Sequence, residues 1–403
     1  MSLQRSSFAP NLASSTSQIP WRRSNVRHTS NELYVDIVET LSVTSTPSGR
    51  PLAAFANGSI AFTSKVSGVP DLLLTLTTSS GGLGGSGDRG DKVRRTMQQP
   101  VFHPCVRLAK WRERGELSFV PPDGRFVLAG YEVDLLDPSA SLLAAKAKDL
   151  NLPASIEVRT GLGAAGADFE VRLSVSNRLP STGGSGSIGS GPAATSLSNS
   201  LARPASGLRT SSGDSKAPLL EDLTVSIPIP PAVRNISELR AMKGEAHWSP
   251  GDAAVEWKIS GREAASIGSG GVTLRCSVVG AAVDEDDRDA MTLGTNGATA
   301  DTYDYDEDAP AAYQAGGGGS GTTGIKDSQR GEAADAQRAK QNAMLMPTCA
   351  TLGFSIKGWL ASGLRVDSLI IDTKRSKGLG EGVKPYKGVK YLTVSRGGIE
   401  VRC

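Results

Sequence analysis

The sequence predicts an all-β fold, a β-sandwich rather than an α/β enzyme fold, and three observations predict it. Short segments alternate apolar or β-branched residues with polar ones, the period of a half-buried strand. Clusters of Gly, Pro, Asn and Asp separate these segments at short intervals. No stretch sustains the 3.6-residue apolar period of a long amphipathic helix, and only KQNAML at 340–345 would make a helical turn or two.

The strands read in order. LYVDIVETLSVTST at 33–46 opens the pattern, PSGR at 47–50 is a turn, and PLAAFANGSIAFTSKVSGVPDLLLTLTT at 51–78 continues it. FHPCVRLAKW at 102–111 and GELSFVPPDGRFVLAGYEVDLL at 115–136 follow as period-2 text. The PPDG at 121–124 suits a hairpin turn, with Pro presetting φ and Gly supplying a positive one. ASIEVRT, DFEVRLSVSN, LTVSIPIPPAV, GEAHWSP, AAVEWKIS and GGVTLRCSVVG carry the pattern to residue 280, and ATLGFSIKGW, GLRVDSLIID, VKYLTVS and GIEVRC close the chain.

Between these blocks lies text that cannot build a core. Of 403 residues 47 are Gly and only 38% are hydrophobic, so less of the chain should fold than its length suggests. Residues 1–30, with WRRSNVRH at 21–28, read as a polar tether, and 80–98, 181–216 and 281–346 as low-complexity inserts, the last with the acidic runs DEDDRD and DYDED.

Charge and cysteines exclude several classes. Lys and Arg total 44 against 41 Asp and Glu, a formal charge of +3, far from the basic excess of a nucleic-acid binder. Cys105, Cys276, Cys349 and Cys403 show no CxxC or Cys/His spacing, so neither a disulfide framework nor a metal site is expected, and the reading is of a reducing, cytoplasmic compartment. The Ser-rich start has no apolar signal region, and no apolar run approaches the roughly 18 residues of a membrane span. Catalytic patterns are missing too. His28, His103 and His247 lie outside any HExxH, GxSxG or Cys-His context, and His103 reads as a packed or turn histidine. The glycine runs are not followed by GK[ST], and Asp284–Asp287 lacks the calcium-loop spacing. No enzyme activity and no cofactor are expected.

The ordered strings NELYVDIVETL, SGVPDLLLTL, FHPCVRLAKW, LSFVPPDGRFVLAGYEV, VSIPIPP, AVEWKI, SGLRVDSLII and KPYKGVKYLTVSRGGIEVRC resemble the μ homology domain of clathrin-adaptor medium subunits, from about Asn31 to Cys403. Within that family, FHPCVR and KPYKGVKY look like the adaptor complex 3 branch. The resemblance implies an elongated, immunoglobulin-like sandwich of two subdomains, the second inserted in the first: residues 31–135 with 362–403, and residues 136–361. Medium subunits begin with a longin-like α/β domain, and the text before Asn31 does not read as one, so the expectation is of a cargo-reading unit without that anchor.

The same resemblance implies recognition of Tyr-x-x-Φ signals, Φ being a bulky apolar residue, in cytoplasmic tails of membrane cargo. Such a peptide would add as a strand to an exposed sheet edge. Tyr34 and Asp36 are two apart and share one face, while Leu33 and Val35 share the other. By resemblance Tyr34 would pack the cargo ring, Asp36 would accept its hydroxyl proton, and Lys390, an Arg in other adaptors, would add a charge contact. Leu33, Val35, Val366, Leu369 and Val389 would line the apolar pocket. An anionic Asp36 would repel a phosphotyrosine. Gly388 stands where clathrin adaptors usually have Trp, and Thr63 where one relative has Lys, so binding should be weak. Implied partners are the large β and δ and small σ subunits of a heterotetramer peripheral on Golgi and endosomal membranes. Lys374, Arg375, Lys377, Lys384, Lys387 and Lys390 could touch an anionic lipid surface. A μ-homology protein without a tyrosine pocket, an endocytic scaffold or a coatomer subunit, is the alternative.

Overall fold

A computed structural model of the protein describes residues 19–78, 89–136, 150, 152–176, 209–210, 218–280, 338–380 and 383–403. In chain order the elements are β1 (Glu32–Ser45), β2 (Pro51–Lys65), β3 (Leu72–Thr78), α1 (Arg89–Thr96), β4 (Gln98–Phe102), α2 (Leu108–Arg114), β5 (Glu116–Phe119), β6 (Gly124–Asp134), β7 (Ala154–Leu162), β8 (Asp168–Val175) and β9 (Arg209–Thr210). They continue with β10 (Leu219–Pro228), β11 (Val233–Ala241), β12 (Glu245–His247), β13 (Ala254–Ile259), α3 (Gly261–Ala265), β14 (Val272–Gly280), β15 (Cys349–Lys357), β16 (Leu364–Ile371) and β17 (Tyr386–Arg402).

The alternation in the sequence is the alternation of burial. Along β1 every second residue from Leu33 to Ser45 is buried, because successive Cβ atoms leave a strand on opposite faces. One ten-stranded sheet runs β12-β13-β10-β15-β17-β1-β2-β6-β4, with β9 added on β17. Two smaller sheets, β16-β3-β5 and β11-β14-β8-β7, complete the fold, and residues of all three share one apolar core. Phe62 of β2 meets Phe119 of β5 edge to face at 5.1 Å, one point where the large sheet closes on the β16-β3-β5 sheet. β7 lies against β15 and β17 at the other end. The fold is therefore the all-β sandwich expected.

Long strands hold the assembly together. VKYLTVS and GIEVRC, read as two strands, form one, β17, which pairs parallel with β1 over nearly its whole length. The register slips between Thr40 and Val43, and there Gly398 passes so close to β1 that a Cβ would lie 2.2 Å from the Leu41 carbonyl oxygen. A part-buried ion pair, with Asp71 buried and Arg107 half-buried, pins the smaller sheet. Asp71 accepts two 2.7 Å bonds from Arg107, whose guanidinium also reaches Ser118.

Several sequence expectations fail, each for a physical reason. The tether reading of 1–30 does not hold from residue 19 on. Trp21 donates from Nε1 to the Val120 carbonyl, and Arg22 is buried with its guanidinium on the carbonyls of Val66, Gly68 and Pro121. This order comes from hydrogen bonding, which leaves no apolar period to read. Residues 89–98, taken as insert, hold α1 and the start of β4, with Val93 and Met97 buried four apart. LAKW is helical in α2, closed by Gly115 in the left-handed conformation at φ 64°. PPDG is a crossover between sheets, not a hairpin turn, because β5 pairs with β3 while β6 pairs with β2 and β4. VRNISELRA, missed as a strand, forms β11 with an irregular inward pattern.

The end of the last insert also packs. The helical turn expected near KQNAML is present at 338–343, and Leu345 and Met346 behind it are buried, Leu345 against Gly280. Residues 281–337 lie outside the described residues, as do most of 181–216. Deleting 281–346 is therefore expected to cost about 2 to 3 kcal/mol more than deleting 281–337, the scale of emptying one large aliphatic site. Urea midpoints of the two deletions measure this, and equal midpoints would mean that Leu345 and Met346 contribute nothing.

Candidate functional site

The first strand and the first turn of pairing on β17 build the site. In the parallel register Tyr34 lies beside Gly388 and Asp36 beside Lys390. On the other side β2 sets Thr63 beside Tyr34 and Ala61 beside Asp36, and β6 sets Arg125 beside Thr63. Tyr34, Asp36 and Lys390, assigned from the sequence, thus meet on one face of the large sheet. Asp36 and Tyr34 are half-buried and Lys390 is exposed.

Two residues that sequence reasoning missed complete this face. Arg125 Nη2 stands 3.5 Å from Asp36 Oδ2, reaching in from β6 across β2. Tyr386, exposed, places its ring 5.8 Å from that of Tyr34. Both contacts depend on cross-strand register, and only the quoted string KPYKGVKY hinted at Tyr386. The absence of a side chain at Gly388 is what the rings use: a Cβ there would lie 2.8 Å from Tyr34 Cδ1 and 3.4 Å from Tyr386 Cε1. Two tyrosines therefore lean over the position where an aromatic wall was expected to be lost. Tyr34 also donates from its hydroxyl to Glu32 at 3.2 Å, and burial, then this bond, pushes its pKa up.

The apolar set lies on the opposite face. Leu33 and Val35 are fully buried, Val389 and Leu369 nearly so, and Val366 is half-buried. The structure does bring them together. Lys387, beside Leu33 in the register, donates from Nζ to the Leu369 carbonyl at 2.6 Å, and Val366 donates its N–H to the Tyr391 hydroxyl at 3.0 Å. Here β16, an edge strand, stands over the inner face of β17. As they stand Leu33, Val35, Leu369 and Val389 are core, and Val366 packs half-buried against it. Lys387 is drawn into this layer, and burial lowers its pKa, so it does not join Lys390 on the basic surface.

The edge itself is the last component. β15 pairs with β17 only from Leu392 onward and the Gly358 N–H closes on the Tyr391 carbonyl, so Tyr386–Lys390 present to that side an edge that, among the described residues, β9 covers at Gly388 and Val389. Unpaired strand edges accept further strands.

Elsewhere the chemistry is quiet. Burial pushes the thiols of Cys105 and Cys276 up to about 12, which keeps them protonated and unreactive near neutrality. His103 is a packed histidine as read, its Nδ1 accepting the Cys105 N–H and its ring edge-on to Trp21 and Phe126. Among the described residues no helix is long and apolar enough to cross a membrane, and no cluster of His, Cys, Asp and Glu could hold a metal ion.

Comparison with known proteins places this architecture. The family described as the adaptor complexes medium subunit family matches residues 19–403. AP-3 complex subunit mu-1 of Rattus norvegicus is 38% identical over 117 residues, 29% of this chain and 24% of that protein, so the matching stretch spans about a quarter of the relative. A homology model of the full-length AP-3 complex in an intermediate open conformation aligns over 93% of this chain and 69% of its own, at TM-score 0.48 and 17% identity. The yeast delta-COP-I mu-homology domain aligns over 93% of this chain and 100% of its own, at TM-score 0.44 and 10% identity. On the match over residues 19–403, this chain belongs to the adaptor complexes medium subunit family.

Proposed function

We infer that the protein is a cargo-reading subunit of a vesicle-coat adaptor of the complex 3 kind, and that it takes Tyr-x-x-Φ signals along the edge of β17. One observation carries the reading: a carboxylate, Asp36, stands beside Tyr34 on the sheet face that borders an edge left open by β15. A peptide added there would gain main-chain bonds from the edge and place its tyrosine ring against Tyr34 and Tyr386. A carboxylate has roughly four acceptor sites, so the Arg125 contact does not exhaust Asp36 and a phenol hydroxyl has room to donate. The adaptor complex 3 branch is supported by the relative named above, and assembly with large β and δ and small σ subunits on Golgi and endosomal membranes follows from that branch.

Arg125 changes one expectation. With Asp36 alone the site would reject a phosphotyrosine by repulsion, but Arg125 and Lys390 put two cations around it. Selectivity against phosphate is then weaker than a lone carboxylate implies. The Φ residue needs the opposite face, where Leu33, Val35 and Val389 are now covered, so β16 must give way for it to enter. That closed apolar side favours, as the second reading, a μ-homology protein of the endocytic-scaffold or coatomer kind that uses no tyrosine pocket.

Binding assays with Tyr-x-x-Φ peptides decide between the two. Asp36→Ala is expected to weaken the tyrosine peptide by roughly tenfold to a hundredfold, about 1 to 3 kcal/mol for a charge-assisted acceptor removed from a closed site. A peptide with Phe for Tyr should bind the parent weakly and lose little more on Asp36→Ala, since its hydroxyl is already absent. Equal losses for both peptides would show that Asp36 acts on the fold or the field, and no binding of either would favour the second reading.

A further inference from the structure

Strand β9 is the one described piece of its insert, and it lies on the proposed peptide edge. Arg209 and Thr210 pair in parallel with Gly388 and Val389, on the side of β17 that β15 leaves open. The residues they cover are those that flank Tyr34 and precede Lys390 in the register. We propose that the Arg209–Thr210 segment is an internal competitor, a strand of the protein's own insert that occupies the β17 edge and must leave before a sorting-signal peptide can add there. The proposal rests on the reading of that edge as the peptide site.

The physical terms favour a weak but effective occupant. A parallel strand on an open edge satisfies main-chain N–H and C=O groups whatever its side chains, so the segment needs no signal sequence. It has none, for residues 177–217 contain no Tyr. Only residues 211–218 separate Thr210 from the start of β10 at Leu219, a tether that extended would span at most about 30 Å. Such short linkers hold an effective concentration on the order of millimolar, enough for two residues of pairing to compete with a peptide free in solution. The consequence is a conformational tax: apparent affinity falls in proportion to the fraction of molecules whose edge is open.

The test uses the full chain and the double variant Arg209→Pro with Thr210→Pro. Of two consecutive residues only one turns its N–H toward β17, so the paired prolines remove that donor whichever residue carries it and bar the segment from a regular ladder. Hydrogen exchange at the amides of Lys387 and Val389, which alternate with the Tyr386 N–H bonded to Asn31 and so face away from β1, reads the edge directly, and titration with a Tyr-x-x-Φ peptide reads the site. Expected results are faster exchange at those amides and a peptide affinity about threefold to tenfold tighter in the variant, reversed by adding a free peptide of residues 204–215. Unchanged exchange would overturn the proposal, because the edge would not have been occupied. Faster exchange with unchanged peptide affinity would overturn it as well, since the segment would then cover the edge without competing. If neither protein binds the tyrosine peptide while the amides are freed, the sorting-signal reading fails and the occupied edge stands.

Discussion

Replacing Arg22 by alanine is expected to lower the unfolding free energy by about 3 to 5 kcal/mol, a large share of the roughly 5 to 15 that hold an ordinary domain together. The guanidinium is a clamp on three carbonyls: Nε on Gly68 at 2.7 Å, Nη1 on Pro121 at 3.0 Å and Nη2 on Val66 at 2.5 Å. These carbonyls belong to the turn after β2 and the crossover after β5, two places where the chain changes sheets and its backbone has no ladder to pair with. Burial pulls the Arg22 pKa down and nearby Asp123 partly restores it, so the cation is retained by the dipoles it binds. Alanine leaves the carbonyls buried and unpaired and opens a void. Arg22→Lys should recover only part of the loss, because a point charge cannot fork over three acceptors. A chain begun at Asn31 should lose Arg22, Trp21 and the His28–Asp123 contact together and be weaker still. Urea melts of the three proteins measure this, and a chain from Asn31 as stable as the parent would restore the view of this segment as a tether.

That segment shows where the sequence could be read and where it could not. Period-2 text located most strands, because burial on one face imposes it, and it put Tyr34 and Asp36 on the same side of β1 before any register was known. It could not locate Arg22, whose burial is settled by carbonyls about 45 and 99 residues away. Helix α1 hid in insert text because its inward residues are only Gly90 and Val93, with Met97 just past its end, too short a stripe to stand out. Arg125 and Tyr386 were invisible for a different reason: alternation fixes a residue's face, and only pairing register fixes its neighbours.

Glu39 makes three buried hydrogen bonds, as many as Arg22, and its removal should be as costly. It is fully buried, and its carboxylate accepts from the Tyr131 hydroxyl at 2.8 Å, from the Ser362 N–H at 3.1 Å and from the Ser362 hydroxyl. These bonds tie β1 to β6 and to the turn that enters β16, the strand that stands over the apolar set. Glu39→Ala strands three buried donors at once, an expected loss of about 3 to 5 kcal/mol. A second variant reaches the same network from outside the charge. The Tyr131 ring lies flat over Gly58, where an added Cβ would fall 2.1 Å from Cζ, so Gly58→Ala must push the ring off its bond to Glu39. Burial raises the Glu39 pKa while its donors pull it back, and the net direction is upward. A carboxyl whose folded pKa lies above its unfolded value of about 4.3 contributes stability that is complete below that value and is lost as pH rises through the folded one. The stability difference between the parent and Glu39→Gln, which cannot ionise, should therefore be greatest near pH 4 and shrink as pH rises toward neutrality. Paired denaturant melts across that range read the slope, and a difference that instead grows with pH would mean that the three donors outweigh burial and hold Glu39 ionised in the folded protein.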